Sequence, residues 1–557
     1  MYHKALINNA DMRFGQFKYF LLVITLISCF SLTSCSQNQP PKKVAKKDSL
    51  SKEWDKTIPG NFSEQVNSVF DSAQIDNFIK LYPDLKSYTG DVTEFYKKRK
   101  YAYAWFDKGK LIEQASNLAN RVGNLKRNGV YKELPYQPKL DSLLNSIGTK
   151  KNQTDIKLEL MLTYQYFAFS QLVWQGMDES ASKSAKWYLP RKKVAYDQYL
   201  DSLLSAPAGQ AKIDEPVYRQ YELLRSYLRK YRALQTKETW APIVPAKIYK
   251  VGDSSTVISG IKRRLFLLEY FKGDTTNQTF NTELQDAVKS FQSTRGLTVT
   301  GLLNKPTIAE LNVPLSNRIT TILVNMERSR WLPVSMDSYY LAVNIPEFKL
   351  HVYNADSLLW SCNVVVGQTV HQTTVFYGEV KYVVFSPYWN VPPGILKNEI
   401  IPGMKRNKNY LAQHNMELTG YEGGLPVVRQ KPGPANSLGL VKFLFPNSYN
   451  IYLHDTPSKS LFGETTRAFS HGCIRVGEPT KLANFLLQDY KQWTPDKINK
   501  AMHQGREQYV TLTKKVPVYI AYLTSFVDRD GKINFRKDIY NLDDRLASMI
   551  VSGKGKY

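Results

Sequence analysis

The chain has 557 residues, of which 43% are hydrophobic and 13% aromatic, and its formal net charge is +26. At about 100–200 residues per domain this length predicts three or four domains, and the composition excludes a chain that is disordered throughout. The basic charge favours an anionic partner such as nucleic acid, a membrane surface or an acidic polymer, or else marks a solvated surface. The sequence shows no zinc-finger spacing and no RNA-binding aromatic signature, which argues against nucleic acid.

The first 35 residues predict an exported lipoprotein. Basic residues precede an apolar run at 19–32 (YFLLVITLISCFSL), which is short for a membrane span and typical of a signal peptide. Residues 32–35 (LTSC) resemble the lipobox of bacterial lipoproteins, whose cysteine is lipidated and begins the mature chain. The alternative is an ordinary signal peptide in which Cys35 occurs by chance. We expect a lipid on Cys35, and a periplasmic protein anchored to a membrane of a Gram-negative envelope.

The cysteines outside the leader are few. Residues 36–61 are polar, lysine-rich and proline-bearing, and predict a flexible tether. The body of the chain then holds only Cys362 and Cys473, which could form a disulfide in an oxidising compartment. Residues 360–366 (WSCNVVV) favour a strand with Cys362 as a small buried hydrophobe. Cys473 would then be a free thiol that needs an explanation.

Residues 62–246 predict an all-α scaffold domain. Apolar residues recur at the helical period in 111–125 (LIEQASNLANRVGNL) and in 218–234 (YRQYELLRSYLRKYRAL). Carboxylates, histidines and cysteines do not cluster here, so the aromatic stripes indicate a hydrophobic core and not a cofactor site.

Residues 250–314 predict a smaller unit with helices at 257–268, 280–295 and 306–312. Its run AVKSFQ at 287–292, followed by Gly296, Gly301 and Thr307, resembles the three-helix peptidoglycan-binding domain. The alternative is a helical spacer without a ligand.

A connecting helix at 316–333 precedes a change of period. Hydrophobic residues alternate from 339 to 345 and strand-like runs follow, so residues 337–527 predict a mostly-β domain. Residues 395–439, rich in Pro, Gly, Asn and Lys, predict an inserted lid, because such long connections are commonly lids or binding loops. We predict that residues 528–557 form a C-terminal tail. The predicted fold class is therefore multidomain α+β.

One short stretch of this domain concentrates reactive side chains. His454 ends a strand-like run, and His471 and Gly472 directly precede Cys473. A thiol has a pKa of about 8.5, and a neighbouring imidazole can take its proton and leave an ion pair. Gly472 permits a sharp turn whose N–H groups could meet a developing oxyanion. Arg467 and Arg475 flank the stretch and could bind a substrate carboxylate.

Three other interpretations compete with a nucleophilic thiol. A zinc site would use His454, His471 and Cys473, with Asp455 as a fourth candidate, although structural zinc ligands usually occur in paired spacings. A structural buried thiol would not need a glycine and two histidines beside it. A papain-like enzyme would place its cysteine before its histidine, which is the reverse of the order seen here.

Residues 454–456 (HDT) and 470–476 (SHGCIRV) resemble the signature of the L,D-transpeptidase catalytic domain. Further phrases resemble the long, multidomain branch of that family: 325–333 (NMERSRWLP), 387–392 (PYWNVP) and 441–447 (VKFLFPN). The resemblance covers nearly the whole chain after the leader.

The resemblance implies a mechanism. Cys473 would attack the carbonyl of the third residue of a donor tetrapeptide stem, release D-alanine and form a thioester, which the amine of an acceptor stem would resolve into a 3→3 cross-link. His454 would be the base, with His471 in support, and the N–H groups of Gly472 and Cys473 would hold the oxyanion.

The resemblance also implies partners and alternatives. Substrate-binding roles fall to Ser470, Tyr388 and Trp389, in addition to the two arginines, and no metal or organic cofactor is implied. The partners would be peptidoglycan stem peptides, whose acidity suits the +26 charge. The predicted function is peptidoglycan cross-linking in cell wall biogenesis and cell shape. The alternatives are an L,D-carboxypeptidase and a non-catalytic lipoprotein that tethers a membrane to peptidoglycan.

Overall fold

The computed structural model describes residues 68–147, 153–205, 214–336, 338–553 and 555. All of these residues belong to one compact unit of the chain, residues 53–557. The predicted signal peptide, Cys35 and the tether lie outside the described residues. Within the described residues, no helix is both long enough and apolar enough to span a bilayer.

The first region is a helical scaffold. Its helices are α1 (Ala73–Leu81), α2 (Thr89–Lys98), α3 (Glu113–Val122), α4 (Gln137–Ile147), α5 (Ile156–Phe169), α6 (Glu179–Ser184), α7 (Tyr196–Ser205) and α8 (Arg219–Lys237). Helix α5 is central: the Asp155 side chain caps its N-terminus, and its residues from 158 to 169 are all buried. A helix that is buried on every side needs neighbours all around it, and α2, α3 and α4 pack against it.

The helical prediction for this region is confirmed, with three short strands in addition: β1 (Phe106–Asp107), β2 (Lys110–Leu111) and β3 (Trp187–Tyr188). The first two form a hairpin, whereas β3 pairs with a strand of the C-terminal domain. The scaffold is therefore joined to that domain by a shared sheet.

The second region has its own core of three helices, α9 (Thr256–Leu267), α10 (Thr282–Thr294) and α11 (Lys305–Asn312). Ser255, Asn281 and Asn304 cap them, each accepting a hydrogen bond from a backbone N–H of the first turn. The helices lie within a few residues of the predicted ones.

Helix α12 (Leu315–Trp331) ties the regions together. The buried Glu327 accepts a hydrogen bond from the N–H of Met177 in the scaffold (2.6 Å) and pairs with Arg330. The Arg330 guanidinium also donates to the carbonyl oxygens of Val173 (2.8 Å) and Asn128 (2.7 Å). Buried charged side chains of this helix therefore form hydrogen bonds with the backbone of the scaffold.

The C-terminal region is mostly β. Its strands are β4 (Tyr339–Asn344), β5 (Lys349–Asn354), β6 (Ser357–Gly367), β7 (Val375–Phe385), β8 (Trp389–Asn390), β9 (Met416–Glu422), β10 (Leu425–Gln430), β11 (Val441–Leu444), β12 (Leu453–His454), β13 (Ala468–Ser470), β14 (Ile474–Val476), β15 (Gln508–Ala521), β16 (Ser525–Val527) and β17 (Ile533–Phe535). The main sheet runs β11-β12-β14-β6-β5-β4-β15-β7, and β7 also pairs with β11, so the sheet closes on itself. Alternate residues such as Leu341, Val343, Leu350 and Val352 fill the interior.

The remaining helices are α13 (Pro393–Ile395), α14 (Ile401–Arg406), α15 (Tyr410–Gln413), α16 (Pro479–Leu486), α17 (Pro495–His503) and α18 (Asp543–Val551). The predicted lid is a small folded unit in which β8, β10 and β9 form a sheet over a separate apolar cluster of Leu396, Ile400, Met416 and Val428.

The tail predicted at 528–557 is wrong for most of its length. Strand β17 pairs with β16, and α18 packs on α12, where Asp543 receives a hydrogen bond from Arg328 (2.6 Å). The apolar positions Leu546 and Ile550 explain why this end of the chain folds back.

Candidate active site

Two short parallel strands bring His454 and Cys473 onto one surface. In β12 and β14, Leu453 is paired with Ile474 and His454 with Arg475. Leu453 and Ile474 point into the core. Because side chains alternate along a strand and paired residues share a side, Tyr452, His454, Cys473 and Arg475 all point to the opposite face.

The imidazole of His454 is buried, with 4% of its surface exposed. Its Nδ1 is hydrogen bonded to the backbone carbonyl of Asp455, and since a carbonyl only accepts, Nδ1 carries the proton. Burial, and then the positive charges of Arg475 and Lys442, lower the His454 pKa to about 3. The ring is therefore neutral near pH 7, with Nε2 free to accept a proton.

The orienting group left open by the sequence is thus the Asp455 main chain. The Asp455 carboxylate is engaged elsewhere: it accepts from the Leu440 N–H (2.9 Å) and pairs with Lys459. Through these contacts the Asp455 carboxylate stabilises the loop that precedes β11.

The Cys473 thiol is half-buried and not in a disulfide. Its Sγ lies 3.5 Å from the carbonyl oxygen of Asn450 and interacts with Tyr452. Burial raises the Cys473 pKa above its ordinary value, against the opposing effects of Tyr452 and Arg475. The resting pair is therefore a thiol and a neutral imidazole, and the ion pair considered from the sequence is not the resting state.

Cys362, the other cysteine of the described residues, lies on β6 as predicted. It is also free, and burial raises its pKa to about 11. The alternative of a Cys362–Cys473 disulfide is not realised in this structure.

The turn before Cys473 is braced by side-chain hydroxyls. Gly472 has a φ of +116°, which only glycine adopts without strain. The Ser470 hydroxyl accepts from the Gly472 N–H (3.1 Å) and donates to the Cys473 carbonyl (2.5 Å), while Thr373 donates to the Gly472 carbonyl (2.8 Å).

This bonding assigns Ser470 a structural role. The Gly472 N–H donates to the Ser470 hydroxyl, so Ser470 shapes the turn, and the role of the Gly472 N–H at an oxyanion stays a prediction. The Cys473 N–H has no hydrogen-bond acceptor among the described residues.

His471 points to the lid. Its Nε2 lies 3.6 Å from Glu399 Oε1, and its ring lies 4.9 Å from that of His371. The zinc alternative requires three ligands in one place, and the described residues contain no group of three His, Cys, Asp or Glu side chains that could hold a metal.

The two flanking arginines differ. Arg475 shares the face of Cys473, and its Nε is buried without a partner among the described residues. Arg467 donates to the carbonyl oxygens of Glu464 and Phe348 and lies 5.3 Å from the Phe348 ring centre. Arg467 thus holds neighbouring chain segments, but its Nε, like that of Arg475, is buried without a partner among the described residues, so carboxylate binding by Arg467 stays a prediction.

Three family profiles match this chain. Residues 338–520 match the "L,D-transpeptidase catalytic domain", residues 90–228 the "Scaffold domain" and residues 257–311 the "Putative peptidoglycan binding domain". Residues 338–520 are thus similar to an L,D-transpeptidase catalytic domain. Cys473 and His454 both lie inside this match.

A curated relative and several solved structures are also similar. A Haemophilus influenzae protein named "Putative L,D-transpeptidase" is 31% identical over 247 residues, which are 42% of this chain and 50% of that protein. The chain therefore spans about half the length of this curated relative.

The L,D-transpeptidase structure from Xylanimonas cellulosilytica (residues 123–326) is 14% identical, covers 50% of this chain and 100% of its own, and has a TM-score of 0.18. Mycobacterium tuberculosis L,D-transpeptidase 1 is 10% identical, covers 33% of this chain and 62% of its own, and has a TM-score of 0.17. TM-scores this low carry no structural argument.

Tyr388 and Trp389 lie at the base of the catalytic domain's lid. The Tyr388 N–H donates to Glu507 (3.0 Å), and the guanidinium of Arg429 lies 4.0 Å from the centre of the Tyr388 ring. Trp389 pairs with Gln430 and packs against the lid's own apolar cluster. Their observed contacts are therefore within the lid and its attachment.

The sequence analysis missed residues that surround the candidate site. Tyr452 could have been found, since it lies two positions before His454 on the same strand face. Nothing in the sequence signalled Thr373. The scaffold residue Lys186 donates to the side chain of Gln372 (3.1 Å), beside the loop that holds Thr373.

A second scaffold residue lies on the other side of the site. The ring of Tyr188 lies 6.1 Å from that of Tyr449, which precedes the Cys473 contact Asn450. Strand β3 places Tyr188 there by pairing in parallel with Val375 and Phe376 of β7. The scaffold therefore reaches both loops that flank Cys473.

Proposed function

We propose that this protein is a peptidoglycan L,D-transpeptidase that forms 3→3 cross-links through a Cys473 thioester. The observation that carries the proposal is the common face of His454 and Cys473, with the neutral imidazole held by Asp455. Peptidoglycan as the substrate is supported by the matches to the catalytic and peptidoglycan-binding domains.

In the first half-reaction, Nε2 of His454 accepts the Sγ proton as the sulfur attacks the carbonyl carbon of the third stem residue. The tetrahedral intermediate collapses by breaking the amide bond to the terminal D-alanine. That leaving amine takes the proton from His454, and the donor acyl group remains on Cys473 as a thioester.

In the second half-reaction, the side-chain amine of an acceptor's third residue attacks the thioester carbon. His454 takes a proton from the attacking amine, and the C–S bond breaks as the new amide forms. The proton returns to Cys473, which regenerates the thiol and the neutral imidazole without any change of redox state.

The charge of Arg475 and the backbone N–H of Cys473 are both placed to bind the donor stem. Arg475 is placed to bind a stem carboxylate, because its cation lies beside Cys473 and its buried Nε lacks a partner among the described residues. The unpaired Cys473 N–H is the candidate donor to the oxyanion. The lid reaches His471 through Glu399, so lid movement would alter the rim of the site.

We also propose that Cys35 is lipidated and that the tether at 36–61 holds the enzyme in the periplasm. The support is the sequence alone. Two or more lipid chains give stable anchoring, at about 0.8 kcal/mol per buried CH₂. Labelled palmitate should enter the wild type and not Cys35→Ala, and equal membrane retention of both would contradict the anchor.

The test of the enzymatic proposal is to incubate the protein with disaccharide-tetrapeptide and identify the products by mass spectrometry. A 3→3 dimer with loss of D-alanine supports the proposal, and Cys473→Ala should form none. Tripeptide alone would mean that water resolves the thioester, as in an L,D-carboxypeptidase. Binding to peptidoglycan without either product would favour the non-catalytic tether.

A further inference from the structure

A cavity lies on the outer face of the closed sheet. Its volume is about 320 Å³, within the usual range for small-molecule sites. The first turn of α8 and the strands β4, β5 and β15 form its walls, and residues 526–530 form its rim. It does not include His454, Cys473 or Arg475, and the proposed mechanism gives it no role.

The sheet makes room for this cavity by its alternation. Leu341 and Val343 point into the core, so Tyr340 and Ala342 point outward, and Ala521 points outward on β15. The small side chains of Ala342 and Ala521 leave the space for the cavity, and aromatic rings form its flat walls. The rings of Tyr340 and Tyr353 are stacked with centroids 4.9 Å apart and an interplanar angle of 11°.

The polar end of the cavity is cationic. Arg219 lines the cavity together with Tyr340 and Tyr353, and its side chain is hydrogen bonded to Tyr218. No carboxylate pairs with Arg219 among the described residues, and Lys349 and Arg529 add further cations to the lining. The result is a guanidinium surrounded by phenols, which can donate hydrogen bonds to one oxyanion.

The acidic side chains of the lining are engaged or peripheral. Glu347 is 3.0 Å from His351, which together with nearby cations lowers the Glu347 pKa to about 2. Asp528 accepts from the N–H groups of Asp530 and Lys532, and Asp530 is exposed at the rim. These carboxylates leave Arg219 available for a ligand.

An amine ligand does not suit this cavity, because an aromatic cage for a cation would not have an arginine inside it. A carboxylate matches the planar guanidinium and its phenol neighbours, and the stacked tyrosines offer a flat surface to a sugar ring or a short peptide. We propose that this cavity is a second binding site, for a carboxylate-bearing ligand the size of a monosaccharide or dipeptide, with Arg219 as its anchor.

Two sources could supply this chemistry, an acidic sugar or an acidic peptide. The test measures binding to the full-length protein by calorimetry or ligand-observed NMR, with two matched pairs of probes. N-acetylmuramic acid is compared with N-acetylglucosamine, which lacks the carboxylate, and L-alanyl-D-glutamate is compared with its diamide. Binding of at least one acid in clear preference to its neutral counterpart is expected, and the preferred pair identifies the source.

The variants locate the binding. Arg219→Gln should weaken the acid's affinity at least tenfold, since a charge-assisted hydrogen bond contributes about 1.5–3 kcal/mol. Arg229→Gln, an exposed position on the same helix, should leave it unchanged. The double variant Tyr340→Phe/Tyr353→Phe keeps the packing and should weaken the affinity about three- to tenfold, which tests the site even if Arg219→Gln does not fold.

Three results would overturn the proposal: no binding of either acid, equal binding of acid and neutral probe, or binding that the folded variants leave intact. Cys473→Ala should bind the probes like the wild type. The binding-site proposal can therefore be refuted while the proposed transpeptidase function stands, and the function can be refuted while the binding site stands.

Discussion

His454 and Arg475 lie directly opposite each other in the parallel register of β12 and β14. The Arg475 cation lowers the pKa of the His454 imidazole, and it also favours the thiolate of Cys473 on the same face. Burial and this arginine thus keep the base unprotonated, and the arginine also offsets part of the cost of ionising the buried thiol.

The first prediction concerns stability and pH. The His454 pKa falls from 6.5 in the unfolded chain to about 3 in the fold, so the unfolded state binds the extra proton between these values. The contribution of His454 is complete above pH 6.5 and is lost as the pH falls, by about 2 kcal/mol at pH 5.

Denaturant unfolding at pH 5 and pH 7 should show this difference for the wild type and a smaller one for His454→Gln. His503→Gln changes an exposed histidine on α17 and serves as the control. An identical pH difference in the wild type and both variants would contradict the low pKa of His454.

The second prediction concerns the state of the Cys473 thiol. Because burial raises its pKa, its alkylation by iodoacetamide should still accelerate as the pH rises past the ordinary thiol pKa of about 8.5. A preformed thiolate–imidazolium pair would instead give a rate that is already constant near neutral pH. Intact-protein mass, with Cys473→Ala as the blank, measures the rate without interference from the buried Cys362.

The third prediction separates the two histidines. His454→Ala should reduce kcat/KM for cross-linking by about 10²–10⁴, the usual range for a lost general base. His471→Ala should cost less than about tenfold, since its observed partners are Glu399 and His371 at the lid. Product formation from disaccharide-tetrapeptide is the measure, and a greater loss in His471→Ala would reverse the assigned roles.

Much of this architecture was readable from local patterns. The helical periods and the alternation along β4 and β5 are properties of short segments, and the motif around Cys473 pointed to the domain that the family profile matches. The pairing of β12 with β14 was not readable, because it joins residues about 20 apart in sequence across a connection that includes β13 and the turn at Gly472. The shared face of His454 and Cys473 follows from that register.

The roles of single polar residues were least predictable. Arg467 and Arg475 look equivalent as flanking cations, yet only Arg475 shares the face of Cys473, while Arg467 finds backbone carbonyls. Likewise, no local sequence pattern indicated that the Ser470 hydroxyl would accept a hydrogen bond from the Gly472 N–H. Hydrogen-bond partners distant in sequence decide such cases, and a single sequence does not contain them.

The last prediction concerns the junction of the scaffold and the catalytic domain. Glu327 and Arg330 form a fully buried pair, so Arg330→Met would leave a carboxylate buried without its cation. Removing one partner of such a pair typically costs about 3–5 kcal/mol, whereas replacing both by apolar residues can be nearly neutral. The double variant Glu327→Met/Arg330→Met should therefore recover part of the stability lost in the single variant.

Unfolding in denaturant, followed by tryptophan fluorescence, suits this test because Trp187 and Trp331 meet at the same junction with ring centroids 5.6 Å apart. The matched control is Lys183→Met, which breaks an exposed pair with Glu179 and should leave the free energy of unfolding close to that of the wild type. If Arg330→Met unfolds at the same denaturant concentration as Lys183→Met, the buried pair does not hold the two domains together. If the fluorescence of the junction changes at a lower denaturant concentration than global unfolding, the scaffold separates before the catalytic domain unfolds. This order is expected when the bonds from α12 to Met177 and Val173 are weakened.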